Sequence, residues 1–480
     1  MRSLMWFRCD LRTRDNTALW HACRRSTDSV VGVFTICPSQ WLEDHDWSNA
    51  RIDFLVRNLA SLENDLGTLN IPLRIVQTPR FDGVEDELLK LAEETGCSAL
   101  YMNREYAWNE AKRDEAVATA FMRASKEVHA FTDQVVFAPG DVLTQKGDWY
   151  TVFTPFKKRW RDRYKDGDAP ESLGRPKKQP AIDVKSDDIP KKIKGADRGA
   201  PSVRPDLWKA GETHALSRLK AFIENRADDY DDRRDIPSEN GTSTLSPYLS
   251  AGVLSPRQCL EAALNANGGR IDSGSKGIVT WIEELIWREF YKHVLAAFPR
   301  VSKHRAFKRE MESVRWRDDD EGFEAWREGR TGYPIVDAGM RQLAQSGWMH
   351  NRLRMVTAMF LTKHLLIDWR RGEKHFMRTL VDGDLASNNG GGQWAASTGT
   401  DAQPYFRIFN PTTQGERFDP DGVFIRKFVP ELAAIRGKAI HAPSEAGLFE
   451  SGSLDYPPPI VDHREARERA LKAFKEASGG

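Results

Sequence analysis

The sequence predicts an α/β domain with a doubly wound parallel sheet, joined by a long connector to an all-α domain. Three observations carry that expectation. In the first 140 residues short apolar or β-branched runs alternate with amphipathic stretches. From about 166 to 205 the chain becomes rich in Pro, Lys, Asp and Gly and loses apolar periodicity, as a connector does. After Leu207 nearly every segment has helical spacing, with loops punctuated by Gly and Pro. The expected organisation is an α/β domain over 1–140, a connector over 141–206 and a helical domain over 207–480.

Within the first domain, 4–7, 29–36, 73–77, 99–102 and 135–137 read as buried strands, being short, apolar and bounded by polar or turn residues. Between them Leu55, Leu59, Leu62, Leu66 and Leu69 recur at helical steps, and Val84, Leu88 and Leu91 repeat the pattern. No G-x-G-x-x-G opens the fold, which argues against a conventional dinucleotide site at the first turn. Further on, 278–297 predicts a long helix stopped by Phe298-Pro299, 342–368 two helices around Gly347, and 464–477 a last charged helix.

Composition narrows the function. A chain of 480 residues that is 40% hydrophobic and 29% charged can bury more than one core, so it is neither disordered nor a small stapled scaffold. Five cysteines without a C-x-x-C pair argue against a disulfide framework and against a zinc site; no metal is expected, and a reducing cytoplasm fits. The start MRSLMWFRCDLRTRD has no apolar h-region, and no stretch reaches the roughly 20 apolar residues of a membrane span. Neither signal peptide nor membrane helix is expected. Residues 1–130 hold 16 basic and 20 acidic side chains, whereas 341–374 hold seven basic and two acidic ones. A polyanion would meet the C-terminal part.

Three clusters then carry chemistry. On the helix from 278, Glu284, Trp287, Arg288 and Tyr291 share a face, which fits either a packed aromatic stripe with a Glu284–Arg288 pair or a ligand surface. Trp348, Asn351, Arg352 and Met355 repeat at helical spacing. Asn and Arg hydrogen-bond base edges or phosphates and Trp offers a stacking plane, so together they suggest nucleic acid. From Asp382 to Phe406, two acids flank Gly383, Asn388 and Asn389 precede three glycines, and Trp394 follows. That stretch reads as a loop and helix end close to a ligand, too polar and glycine-rich for a packed helix. Upstream, Tyr230 and the run from Gly241 to Ser246 offer hydroxyls and successive amides that suit a pyrophosphate, or else an N-capped turn.

WFRCDLRTRDN at the start, TSTLSPYLSAGVLSPRQ from Thr242, WIEELIWREFY from Trp281, WREGRTGYPIVDAGMRQL from Trp326, WMHNRLRM from Trp348 and DGDLASNN from Asp382 resemble the DNA photolyase/cryptochrome family. Most closely they resemble the bacterial class I cyclobutane pyrimidine dimer photolyases. The resemblance runs in order from about Leu4 to Ala473. It implies an α/β antenna domain, a connector and a helical domain that binds FAD and DNA. Excited, fully reduced FAD would pass an electron to a dimer flipped out of the duplex, and the electron would return after the two inter-base bonds split.

Carried over residue by residue, Tyr230, Thr242, Ser243, Thr244, Leu245 and Ser246 would hold FAD, mainly its pyrophosphate, and Asp382, Gly383 and Asp384 would border the flavin. The family has Arg where Thr244 stands, a tolerable change if the backbone does the binding. Asn388 matches the asparagine facing flavin N5. Glu284 would hydrogen-bond the dimer's base edge, in a pocket lined also by Trp287, Met355, Asn388 and Trp394. Arg234, Arg288, Tyr291, Asn351, Arg352 and Gln414 complete the expected DNA contacts. Asn109 and Glu110 match contacts to a methenyltetrahydrofolate antenna, although a deazaflavin or no antenna is also compatible.

Relatives that repair the (6-4) photoproduct carry histidines where Asn351 and Met355 stand, so the cyclobutane reaction is favoured, and His350 is expected to be structural. The family's photoreduction chain uses three tryptophans. Trp316 and Trp369 match the outer two, but Gly392 stands at the inner position, which predicts slow photoreduction with near-normal repair from chemically reduced flavin. The alternative is a cryptochrome-type light sensor signalling to a protein; the 66 residues after Gln414, most of which match the family, favour the enzyme. DNA containing pyrimidine dimers is the expected partner, with no membrane association, and a monomer is expected.

Overall fold

A computed structural model describes residues 1–197, 199–444 and 455–479. The chain forms two units. The first comprises Met1–Asp228, Ser243–Pro299 and Val381–Asp384, and the second Asp229–Thr242, Arg300–Leu380 and Leu385–Gly480.

The first unit is built on five parallel strands, β1 (Arg2–Phe7), β2 (Val30–Ile36), β3 (Leu73–Gln77), β4 (Cys97–Asn103) and β5 (Glu127–Phe131), in the order β3-β2-β1-β4-β5. Leu4 pairs with Val31 on one side and Leu100 on the other. Parallel neighbours need crossovers, supplied here by α1 (Thr17–Arg25), α2 (Asn49–Gly67), α3 (Val84–Glu94) and α4 (Trp108–Arg123). The leucines of α2 are buried at the expected spacing.

The fifth strand is not where the sequence suggests. Residues 135–137 are buried but irregular, and the edge strand is the half-buried EVHAF segment. The reason is a carboxylate. Glu289 accepts the N–H groups of Val136 (2.6 Å) and Phe137 (2.9 Å) together with the Trp160 indole N–H (2.7 Å), satisfying the backbone that a ladder would otherwise satisfy. Glu289 lies on α8 (Lys276–Ala297) and Trp160 on α5 (Phe153–Lys165); between these helices come α6 (Glu212–Asn225) and α7 (Pro256–Ala266).

The opening WFRCDLRTRDN motif serves this unit's interior. Arg12 donates to Asp133 (2.6 Å), Arg257 donates to the other Asp133 oxygen (2.8 Å) and to Asp15 (3.0 Å), and all four side chains are buried. The connector runs along the sheet edge. Asp187 N–H donates to the Leu73 carbonyl and its carboxylate accepts from Ile75 N–H, each at 2.8 Å, which covers polar groups of β3 that an open edge would expose.

In the second unit α9 (Pro334–Ser346) stops at Gly347, whose φ of 66° is the left-handed conformation glycine adopts freely. Then follow α10 (Asn351–Met359), a π turn at Phe360–His364, α11 (Trp369–Met377), α12 (Leu385–Ala396), α13 (Pro411–Phe418) and α14 (His463–Ala477). Trp326, Met340, Leu343, Leu353, Met359, Phe360 and Phe376 belong to one buried core. The expected loop from Asp382 is corrected here: 385–396 is helical through all three glycines. Its polar residues need no solvent, because Asn389 donates to the Glu373 carboxylate (3.0 Å) and Gln393 donates to Asn389 (2.8 Å). Among the described residues no helix is long and apolar enough to cross a membrane.

Candidate active site

In the first unit, α8 presents Glu284, Trp287, Arg288 and Tyr291 on one half-buried face. Trp287 is fixed from outside the helix. Its ring stacks on Phe153 with centroids 3.6 Å apart and planes 11° from parallel, and Tyr291 packs beside it at 5.7 Å. Arg288 commits one edge of its guanidinium to the protein, donating to the Gln134 carbonyl (2.6 Å) and more weakly to that of Leu249 (3.4 Å). One turn beyond, the buried Lys292 forms an ion pair with Asp384, and Ser250 donates to the Gly383 carbonyl (3.2 Å), which anchors the Asp382–Gly383–Asp384 segment.

The Ser243–Ser246 loop has a conformation that explains its composition. Thr244 takes φ of 51°, a left-handed conformation costly for a β-branched residue, while Leu245 (φ −93°, ψ −6°) is right-handed. Consecutive residues of opposite hand turn their N–H groups into one concavity, the geometry of an anion-binding nest. Neither the Thr244 nor the Leu245 N–H has an acceptor among the described residues. A phosphate-bearing cofactor fits these donors. The Thr244 hydroxyl is not among them, since it donates to the Ser243 carbonyl (2.7 Å) and accepts from Arg218.

In the second unit, Tyr230 is buried with the Arg234 guanidinium 5.3 Å from its ring centre, and Thr242 lies half-buried nearby in sequence. Arg352 on α10 donates to Asp235 (2.6 Å) and lies 4.3 Å from the Phe418 ring, one turn of α13 from Gln414. The structure thus brings Arg352 and the Gln414 helix together. Arg352 Nε and Gln414 Oε1 are both buried without a hydrogen-bond partner among the described residues. Asn351 is exposed and Met355 half-buried on the same helix. His350 is a cap: its Nδ1 accepts from Arg352 N–H (3.2 Å), and burial pushes its pKa down to about 4.

Asn388 lies on α12 and donates through Nδ2 to the Glu373 carbonyl (3.0 Å). A carbonyl only accepts, so the amide orientation is decided by chemistry: Nδ2 faces Glu373, and Oδ1 with the second N–H is left for other partners. Glu373 is itself held by Asn389 and by His304 (3.0 Å). Trp369 is buried at the first position of α11, Trp394 packs against the core, and Trp316 meets Phe474 edge-on at 5.7 Å. A Cβ built on Gly392 meets nothing within 4 Å.

Away from these clusters, Asn109 and Glu110 at the start of α4 are joined by His45, which lies 3.1 Å from Asn109 and 3.5 Å from Glu110. Phe81 meets the His45 ring edge-on, and Trp41 and Trp47 stack alongside. Nothing in the spacing of His45 pointed to this site; only the fold carries it across 64 residues to Asn109. Lys292, Asp235 and Glu373 were missed for the same reason. The five cysteines are unpaired, burial pushes Cys9 up to about 12, and among the described residues no cluster could hold a metal ion.

Comparison with known proteins identifies the family. The family model for the FAD binding domain of DNA photolyase matches residues 281–476, and the DNA photolyase model matches 3–179. A deoxyribodipyrimidine photo-lyase of Salmonella typhimurium is 44% identical over 477 residues, covering 99% of each chain. The chain belongs to the DNA photolyase family. Its branch is that of the deoxyribodipyrimidine photo-lyases, carbon–carbon lyases, and it has the family's FAD-binding domain. Among solved structures, a class III photolyase from Agrobacterium tumefaciens superposes with a TM-score of 0.88 at 37% identity, covering 100% of this chain and 98% of that one. An archaeal photolyase from Sulfolobus tokodaii, described with two FAD molecules that imply a novel light-harvesting cofactor, gives a TM-score of 0.81 at 30% identity, covering 99% and 100%.

Proposed function

We propose that this chain repairs cyclobutane pyrimidine dimers in DNA, with bound, fully reduced FAD supplying on excitation the electron that opens the dimer and recovering it afterwards. The observation that carries this reading is the Asn388 amide. One N–H of the Asn388 amide is committed to Glu373, which fixes the side chain with its Oδ1 acceptor available, and an acceptor suits a protonated N5, the state of that nitrogen in reduced flavin.

The other side chains bind and orient. Tyr230, Thr242, Ser243, Thr244, Leu245 and Ser246 hold the cofactor, with the free amides of Thr244 and Leu245 directed at its pyrophosphate, and Asp382, Gly383 and Asp384 border its ring. Trp287, locked on Phe153, is a pre-set plane for an extruded base, and Trp394 and Met355 add apolar surface. Glu284 hydrogen-bonds the base edge and stabilises charge arriving on it. Arg234, Asn351, Arg352 and Gln414 take the DNA backbone and flanking bases, with Arg288 and Tyr291 at the margin. Asn351 and Met355 replace the histidine pair that proton shuttling would need, so the reaction is electron transfer to a cyclobutane dimer. His45, Asn109 and Glu110 hold a reduced-folate antenna.

Gly392 stands where the family's inner relay tryptophan is found, leaving Trp316 and Trp369 as the outer members. The open space around its Cβ direction admits the first atom of a side chain. Gly392→Trp therefore accelerates light-driven reduction of the bound cofactor and leaves repair by chemically reduced enzyme nearly unchanged. Equal photoreduction rates in the two proteins would mean that another donor, Trp394 first among them, already serves.

Lesion recognition is tested by equilibrium binding of a duplex carrying one thymine dimer against the undamaged duplex. The flipped-base reading predicts strong preference for the damaged duplex and loss of that preference in Glu284→Ala. Equal affinity of the parent protein for both duplexes removes it.

A further inference from the structure

Thr244 stands where the family has an arginine, so the loop that would hold the FAD pyrophosphate has no cation of its own at that position. The structure brings one in from elsewhere. Arg218, on α6, donates to the Thr244 hydroxyl through Nε (2.9 Å) and through Nη2. The same hydroxyl gives its proton to the Ser243 carbonyl, so all three of its hydrogen-bonding positions are used and the guanidinium is held in a fixed place. Trp208 flanks that guanidinium, with its ring centre 5.5 Å away.

Two features of Arg218 are not explained by packing. It is half-buried yet pairs with no carboxylate among the described residues. Arginine has five N–H donors in a rigid fork; two go to Thr244, the Tyr248 hydroxyl lies beside another, and the rest have no hydrogen-bond partner among the described residues. Most half-buried arginines of this unit do otherwise, Arg57 with Asp53 and Arg161 with Glu283 being examples. An uncompensated cation with free donors, anchored beside two unused backbone amides at Thr244 and Leu245, is a built receptor for a phosphate group.

We propose that Arg218 is a pyrophosphate-binding residue of the FAD site, supplying from a different helix the positive charge that the family carries at position 244. The inference rests on the FAD reading above and adds to it a residue outside the family's signature motifs. Thr244 is then a positioning residue, its hydroxyl aiming the guanidinium rather than touching the cofactor.

The test is reconstitution of apoprotein with FAD and with riboflavin, which lacks the pyrophosphate, followed by flavin fluorescence. Arg218→Ala should weaken FAD binding roughly 10- to 100-fold, the range for losing a charge-assisted partner, with the riboflavin affinity unchanged. The double variant Arg218→Ala/Thr244→Arg should recover most of the FAD affinity, since the charge returns at the family's position. Arg218→Ala binding FAD within twofold of the parent overturns the proposal. So does an equal loss for both flavins without rescue by Thr244→Arg, which marks a merely structural cross-link. Should Arg218→Ala fail to fold, Arg218→Gln with and without Thr244→Arg gives the same comparison. A parent protein that takes up no FAD would instead defeat the FAD reading itself.

Discussion

A carboxylate at position 289 replaces a stretch of β-ladder, and its chemistry fixes what a substitution there does. Glu289 accepts three N–H groups and lies 3.8 Å from His293, so every neighbour on its oxygens is a donor. Glutamine has the same shape but turns an NH2 toward one of those donors. Glu289→Gln should therefore cost about 1–3 kcal/mol, the penalty for a buried donor left unpaired, read as a lower urea midpoint with unchanged slope. A midpoint equal to the parent's contradicts this. Asp133 is a harder case, since it neutralises both Arg12 and Arg257 in the interior. Asp133→Ala should cost about 3–5 kcal/mol, because the buried Arg12 loses its counter-charge and Arg257 keeps only Asp15. The residue types of both sites are visible in the sequence. Their partners are not: Glu289 meets Val136 and Asp133 meets Arg257 across separations of 153 and 124 residues.

Elements were legible where burial follows period, and illegible where polar groups are satisfied from outside the element. The leucine pattern of α2 and the apolar stripe of α8 survive folding with little change. Helix α12 does not announce itself, because its stability comes from Glu373 on α11 rather than from propensity. Its glycines still cost helix stability. Gly391 is exposed and a Cβ there meets nothing within 4 Å, so Gly391→Ala should stabilise the protein by about 0.5–1 kcal/mol; destabilisation would mean the helix needs glycine there.

The π turn at Phe360–His364 makes a pH prediction. His364 Nε2 lies 2.8 Å from His463 Nδ1 at the start of α14, and burial, then His463 and Arg469, push His364 down to about 3. Unfolded histidine titrates near 6.5, so between these values the folded chain binds fewer protons than the unfolded one. This site's stability is thus fully present above about pH 6.5 and lost as pH falls toward 3, by up to about 3 kcal/mol at pH 4. Denaturation between pH 6.5 and 4 should steepen in the parent and flatten in His364→Gln. Identical slopes would contradict the assignment.

For the molecule as a whole, the basic run from 341 to 374 suggested a wide positive field, and the structure shows how much of it is spent internally. Arg341 pairs with Glu431 (2.7 Å), Arg370 with Glu312 and Asp368, Arg371 with Asp320 (2.6 Å), and Lys363 is fully buried over the Phe474 ring. A count of charges along the chain could not register those acids. Arg352 is likewise paired, with Asp235 (2.6 Å), so recognition of DNA should depend on salt less than seven cations imply, this run contributing a log–log slope corresponding to roughly two phosphates. A slope near seven would mean that the internal pairs open on binding.

The family and its FAD site were readable from motifs, the parallel sheet and the helical domain from apolar periodicity; the positions of His45, Glu373 and Arg218 needed the fold. The proposed light-driven repair unites them, and one measurement tests it most directly. Protein reconstituted with FAD and chemically reduced is mixed with an oligonucleotide containing one thymine dimer, and intact thymines are counted after blue or near-ultraviolet illumination and after darkness. The account predicts restoration in the light alone, sharply reduced in Glu284→Ala. Dimers that persist under illumination, in protein shown to hold reduced FAD and to bind the damaged strand, would contradict it.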